Sequence, residues 1–135
     1  MHFLDTDILL YSISRDAAET RKRDIAIGLL DRDDGAVSIQ VLQEFYVQAT
    51  RDTRTDRISH DIAVGLMRTW MRFRVQDTTL SILNSALEIK SGFGLSYWDS
   101  VIVAAARALN CTQLYSEDLR HGLEIDGVTV TNPFR

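Results

Sequence analysis

The chain is expected to fold as an α/β protein of three layers, with a parallel five-stranded sheet flanked by helices. Three observations carry that expectation. Short apolar runs of three or four residues alternate with segments of ten or more residues that show helical periodicity. Most of the connections contain a helix, as parallel strands require. Acidic residues also recur just after the apolar runs, where open α/β sheets gather their ligands.

The elements follow in order. His2 to Leu4 reads as a buried strand ending at Asp5, and Asp7 to about Ser14 as a helix. Ala17 to about Asp31 repeats apolar residues at Ile25, Leu29 and Leu30, with Asp34-Gly35 as the stop. Ala36 to Ile39 is a second strand, followed by a helix from Gln40 to about Arg51. Ile62, Leu66 and Trp70 mark a helix from Ser59 to about Arg72, and Phe73 to Val75 a third strand. Thr79 to about Ser91 is helical up to Gly92 and Gly94, and Tyr97 to Leu109 is another helix. Thr112 to Tyr115 and Val128 to Val130 complete the strands. No repeat, low-complexity tract or linker interrupts this, so residues 1–135 form one expected domain.

Composition narrows the function. Hydrophobic residues at 45% exclude a disordered chain. One cysteine, Cys111, excludes an intrachain disulfide and suits a reducing compartment; it reads as a small buried hydrophobe before a strand. No basic leader and no membrane-length apolar run is present, so a cytoplasmic location is expected, with no membrane partner. The net charge of -4 counts against a protein held to nucleic acid by phosphate contacts alone.

The acids answer that objection if they converge. Crossover helices run antiparallel to the strands, so their N-termini collect at the strands' C-terminal edge. Asp5 follows the first strand and Asp7 lies one turn on. Glu44 sits about one turn into the helix after the second strand, at the flank of the arc made by Val41, Leu42, Phe45, Tyr46 and Ala49. Asp99 begins the helix leading to the fourth strand, and Asp118 follows that strand. Carboxylates about 4 Å apart repel by roughly 4 kcal/mol per pair at an effective dielectric of 20. Such a cluster persists only with protons or a hard cation, Mg2+ or Mn2+, whose chemistry suits phosphodiester hydrolysis by an activated water.

Four stretches carry a family resemblance: FLDTDILLY at 3–11, SIQVLQEFY at 38–46, LSYWDSVIVAAA at 95–106 and LYSEDLRHG at 114–122, with VTNPF at 130–134 as a weaker fifth. In this order and spacing the sequence resembles PIN-domain ribonucleases, most of all VapC-type toxins of VapBC toxin–antitoxin modules. The resemblance implies strand order 3-2-1-4-5 and endonucleolytic cleavage of structured RNA, transfer or ribosomal, with Mg2+ or Mn2+. It implies Asp5, Glu44, Asp99 and Asp118 as catalytic and metal-site acids, homodimerisation, and a cognate VapB-type antitoxin. Asp7 stands where many members have asparagine. Thr6 and Ser116 match hydroxyl positions near the site.

Other residues admit plainer readings. Asp5 could be only a helix cap, and Ser96 to Asp99 a capping box. Glu117 and His121 read as solvated or turn residues, and Trp70 and Trp98 as core or interface. Arg51, Arg54 and Arg57, interleaved with Asp52 and Asp56, form either a solvated loop or an RNA-backbone contact, with Arg15, Arg68, Arg72 and Arg74 as further candidates. Three rival functions remain: a haloacid-dehalogenase-type phosphatase with Asp5 as nucleophile, a receiver-like module, and a catalytically inactive PIN scaffold.

Overall fold

Strand β1 (His2–Leu4) is completely apolar in its inner half, with Phe3 and Leu4 fully buried, and it occupies the middle of the sheet. The computed structural model describes residues 1–135. Asp5 then caps helix α1 (Thr6–Ser12). A 3-10 turn at Ala17–Glu19 leads into α2 (Thr20–Leu30), which returns the chain to β2 (Gly35–Ser38). The long helix expected from Ala17 is thus two pieces, the first capped by Asp16.

Ser38 ends β2 and caps α3 (Ile39–Ala49), its hydroxyl accepting from Val41 N at 3.2 Å. Helix α4 (His60–Trp70), strand β3 (Arg74–Gln76), and helices α5 (Leu80–Phe93) and α6 (Tyr97–Ala108) follow. The sheet closes with β4 (Gln113–Tyr115), β5 (Glu124–Ile125) and β6 (Val128–Thr131). Gly35 does more than stop a helix: a Cβ there would lie 2.8 Å from the Phe73 ring, so the absent side chain makes room for that aromatic.

The strand order is β3-β2-β1-β4-β6-β5. The five expected strands keep the expected order and are all parallel. The sixth strand was not anticipated: β5 pairs antiparallel with β6 across the tight turn Asp126-Gly127. Both turn residues have positive φ, 49° and 86°, which is the backbone that a two-residue hairpin needs and that Asp-Gly supplies readily.

Chain direction sets the layers. From β1 the sheet grows one way through β2 and β3, then reverses across β1 to β4. Right-handed crossovers therefore place the α5–α6 pair on the face opposite the earlier helices. Helix α6 packs on β2, β4 and β6 with α5 over it, while α1 packs on α2 and α3. Residues Val101 to Ala106 of α6 are all buried, an unbroken apolar run for a helix enclosed on most sides.

The core is one connected cluster. Phe45, fully buried on α3, meets Trp70 edge-to-face with ring centroids 4.7 Å apart, joining α3 to α4. Phe45→Ala is expected to destabilise the fold by about 3–5 kcal/mol, read as a lower urea midpoint at unchanged slope. A loss below about 1 kcal/mol would show that this pair does not anchor α3.

Candidate metal centre

The reversal of strand order opens a crevice beyond the C-terminal ends of β1 and β4. Its position follows from the two chain segments that leave the sheet there. Asp5 N donates to Tyr115 O at 3.1 Å, so the first residue after β1 is tied to the last residue of β4. Residues 5–7 and 117–118 then sit side by side in the wall of an open pocket of about 360 Å³.

Asp5 is buried and both its carboxylate oxygens are engaged. Oδ1 accepts from Thr6 N at 2.7 Å, and Oδ2 from the Ser116 hydroxyl at 2.8 Å. Asp7 Oδ2 accepts from the backbone N of Glu117 at 2.9 Å and of Asp118 at 3.3 Å. Its other oxygen, Oδ1, is buried with no partner. One oxygen from each of Asp5, Asp7 and Asp118 lies within 4.8 Å of the others.

Glu44 and Asp99 line the same pocket outside this tight trio. Thr6 Oγ1 donates to Glu44 Oε2 at 3.1 Å and Gln40 Nε2 to Oε1 at 3.0 Å, so Glu44 is clamped beside the Asp5–Asp7 segment. Asp99 is half-exposed in the first turn of α6. Ser96 Oγ accepts from Asp99 N at 3.1 Å, but no bond returns from the Asp99 carboxylate to Ser96 N. Half of the expected capping box is present, and the carboxylate is left to the pocket.

Electrostatics tie these acids together. Burial pushes Asp5 above the usual carboxylate range against the pull of Ser116 and Thr6, and the charges on Asp118 and Glu44 push the same way. Burial raises Asp7 as well, with Asp5's charge next in weight, against the Glu117 N–H. Asp118 is raised by burial and then by Asp99, Glu117 and Glu44. Three of the five acids thus resist ionisation, and the strain falls on the closest trio.

Hard oxygen donors with one buried, unpartnered carboxylate oxygen fit a small divalent cation. Asp5, Asp7 and Asp118 are the residues that could hold it. Asp7, weighted below the other four by the sequence, thus stands inside the tightest group. Glu117 is not the solvated residue expected. It accepts from the Tyr11 hydroxyl and from Lys22 Nζ, each at 2.5 Å, and this brace holds the 116–118 turn.

Gln40 was missed altogether. It lies one helical turn before Glu44, a spacing that places two side chains on one face. Seven of the 19 acidic residues and one of the 15 Lys and Arg line the pocket, leaving 12 acids elsewhere against 14 cations. The acidic balance is therefore local, and the rest of the molecule is net basic.

The arginines separate. Arg54 is the one cation lining the pocket, and Arg15 lies in the groove beside it. Arg57 is bound to Asp52, and Arg51 is exposed. Arg72 is stacked on Phe73, and Arg74 begins β3 at the opposite edge of the sheet. Arg68 is exposed on α4. His121 lies outside the pocket and accepts from Asn132 N through Nδ1. Trp70 is core, but Trp98 is 63% exposed and lines the pocket.

Solved structures of similar fold cover nearly the whole chain. A toxin–antitoxin complex from Klebsiella pneumoniae matches with TM-score 0.73 at 18% identity, over 98% of each chain. VapC20 of Mycobacterium tuberculosis, described as a sarcin–ricin loop cleaving toxin, matches with TM-score 0.66 at 20% identity, over 87% of this chain and 92% of that one. FitAcB of Neisseria gonorrhoeae matches with TM-score 0.69 at 15% identity, over 99% of each. A sequence search of curated proteins returns no match. The family model described as PIN domain matches residues 2–123, nine-tenths of the length, and the chain belongs to the PIN domain family.

Proposed function

We propose that the protein is a Mg2+- or Mn2+-dependent endoribonuclease that acts as the toxin of a type II toxin–antitoxin pair. The observation that carries this reading is the Asp5, Asp7 and Asp118 trio at the reversal point of the sheet, with Asp7 Oδ1 buried and unpartnered. Asp5, Asp7 and Asp118 would hold the cation. When bound, it acidifies a water and offsets charge on a phosphate oxygen. Glu44 and Asp99 are the acids left to orient the attacking water and take its proton. The water oxygen bonds to phosphorus, one phosphorus–oxygen bond to ribose breaks, and the departing oxygen is protonated.

The toxin assignment draws on the fold shared with proteins described as toxins. Transfer or ribosomal RNA is the proposed substrate class. A VapB-type antitoxin would present a basic side chain to the acidic pocket. A homodimer would use α5, where Leu80, Leu83 and Leu87 are exposed at helical spacing as one apolar stripe. No helix is long and apolar enough to cross a membrane, and a cytoplasmic site of action is part of this proposal.

The phosphatase reading is weaker because neither Lys22 nor Lys90 lines the pocket to meet a phosphate. A receiver-like module would likewise need a lysine after the last strand, and none is there.

Three measurements test the proposal. Asp99→Asn is expected to abolish cleavage of RNA by the purified protein while its circular dichroism is retained; undiminished cleavage would remove Asp99 from the chemistry. Millimolar Mg2+ or Mn2+ should raise the thermal midpoint of the wild type, and Asp5→Asn should weaken that rise. A midpoint indifferent to metal would overturn the metal reading. The third measurement concerns pH. Asp5 and Asp7 have folded pKa values above the unfolded value of about 3.9, so the native chain holds more protons as pH climbs through that window. Their contribution to metal-free stability is full below about pH 4 and is lost as pH rises through the raised values. Asp7→Asn, which removes the charge and keeps an oxygen for Glu117 N, should therefore stabilise the metal-free protein by on the order of 1–2 kcal/mol at pH 8 and much less at pH 5. Equal effects at both pH values would contradict it.

A further inference from the structure

Two pocket residues have no part in the acidic cluster, and both have the chemistry of a nucleic-acid contact. Trp98 presents an indole that is 63% exposed at the start of α6. Arg54 is the only cation lining the pocket. Its Nε is ion-paired with Asp56 Oδ1 at 2.9 Å but buried without an aligned hydrogen-bond partner. The loop that carries it is pinned, because Asp56 Oδ2 accepts from Arg15 N at 3.1 Å and Ile58 N donates to Ala49 O at 3.0 Å. Arg54 is thus a held, half-buried guanidinium with open donors.

Helix α3 fixes where these two residues stand. Gln40, Glu44 and Gln48 recur at four-residue spacing and all line the pocket, forming a polar stripe along its wall. Gln40 Nε2 reaches Trp98 O at 3.5 Å, so Trp98 marks one end of the stripe. Arg54 follows the C-terminal end of α3, beyond Gln48. Glu44, at the midpoint, touches Thr6 between Asp5 and Asp7. Eight residues of helix span about 12 Å. That is about three to four times the ~3.4 Å rise per nucleotide of a stacked strand, so the wall is long enough to carry a short single-stranded segment past the acids. A second groove, lined by Arg15, Asp16, Thr53, Thr55 and Asp56, adjoins the pocket and shares Arg54 and Glu19 with it.

We propose that the stripe of α3 is the wall of a single-strand track, in which unpaired RNA stacks a base on Trp98 and places a backbone phosphate on Arg54. The scissile phosphate then lies between them, over the acidic cluster. The proposal rests on the ribonuclease reading and adds the two residues that hold the substrate strand on either side of the acids. Arginine suits the far end because its planar fork meets phosphate oxygens two at a time. Tryptophan suits the near end because every base has a face to stack, so the track selects an unpaired segment more than a sequence.

Trp98 can be watched directly. Trp70, 4% exposed against Phe45, is the only other tryptophan. An unpaired RNA oligonucleotide added without metal to the full-length protein should quench the exposed indole, whereas the same sequence as a duplex should not. In Trp98→Phe this quenching should vanish. In cleavage assays with Mg2+, Trp98→Ala should raise KM for unpaired RNA roughly tenfold with kcat within a factor of two. Arg54→Gln should raise KM and lower the slope of log affinity against log salt by about 0.7, the value for one phosphate contact on a single strand. Asp56→Asn, which frees the guanidinium without removing it, should leave that slope unchanged. Wild-type cleavage with KM unaltered in both Trp98→Ala and Arg54→Gln, or equal quenching by duplex, would overturn the track and leave the ribonuclease reading standing. A wild type that neither binds nor cleaves RNA would overturn both.

Discussion

The constraint on which the rest of the structure depends is the enclosure of like charges. Asp5 and Asp7 sit two residues apart at the N-terminus of one short helix, and the fold carries a third carboxylate, Asp118, up to them. Repulsion at this spacing opposes folding, and almost every polar contact around the pocket works against it. The Ser116 hydroxyl and the backbone N–H groups of Thr6, Glu117 and Asp118 all donate to these carboxylates. The N-terminal end of α1 adds its partial positive charge. Burial, with the neighbouring charges adding to it, still displaces all three acids upward. The trio could hold a hard cation, and the buried, unpartnered Asp7 oxygen is the donor left open to one.

The supports of that cluster come from far apart. Tyr11 on α1 and Lys22 on α2 both bind Glu117, and Lys22 also lies over the rings of Tyr11 and Phe134. Glu117 in turn offers its backbone N–H to Asp7. Helix α2 and the C-terminal residues therefore contribute to the geometry of a pocket that neither of them lines.

Much of this was legible in the sequence, and the reasons are local. Asp5, Glu44, Asp99 and Asp118 could be placed at one sheet edge because strand ends and helix starts leave strong marks: a short apolar run, then a capping residue. The five parallel strands could be ordered only through the family resemblance, since pairing leaves no trace in a three-residue strand. The β5 hairpin was missed although Asp126-Gly127 signalled it, because a two-residue strand has no periodicity to detect. Asp7 was undervalued and Gln40 unnoticed for a different reason. Their importance lies in contacts with residues 117 and 44 that only tertiary structure creates. Glu117 was read as solvated because its partners, Tyr11 and Lys22, lie about a hundred positions earlier.

That separation has a consequence for biosynthesis. The acids of the trio lie far apart in the sequence, and the Asp5–Ser116 bond spans 111 positions. During translation the first two acids emerge early, but the third and its supporting turn leave the ribosome only after most of the chain has been made. A nascent or truncated polypeptide lacking β4 therefore has no assembled pocket. Whatever reaction the pocket performs, it cannot begin before residues 116–118 have left the ribosome.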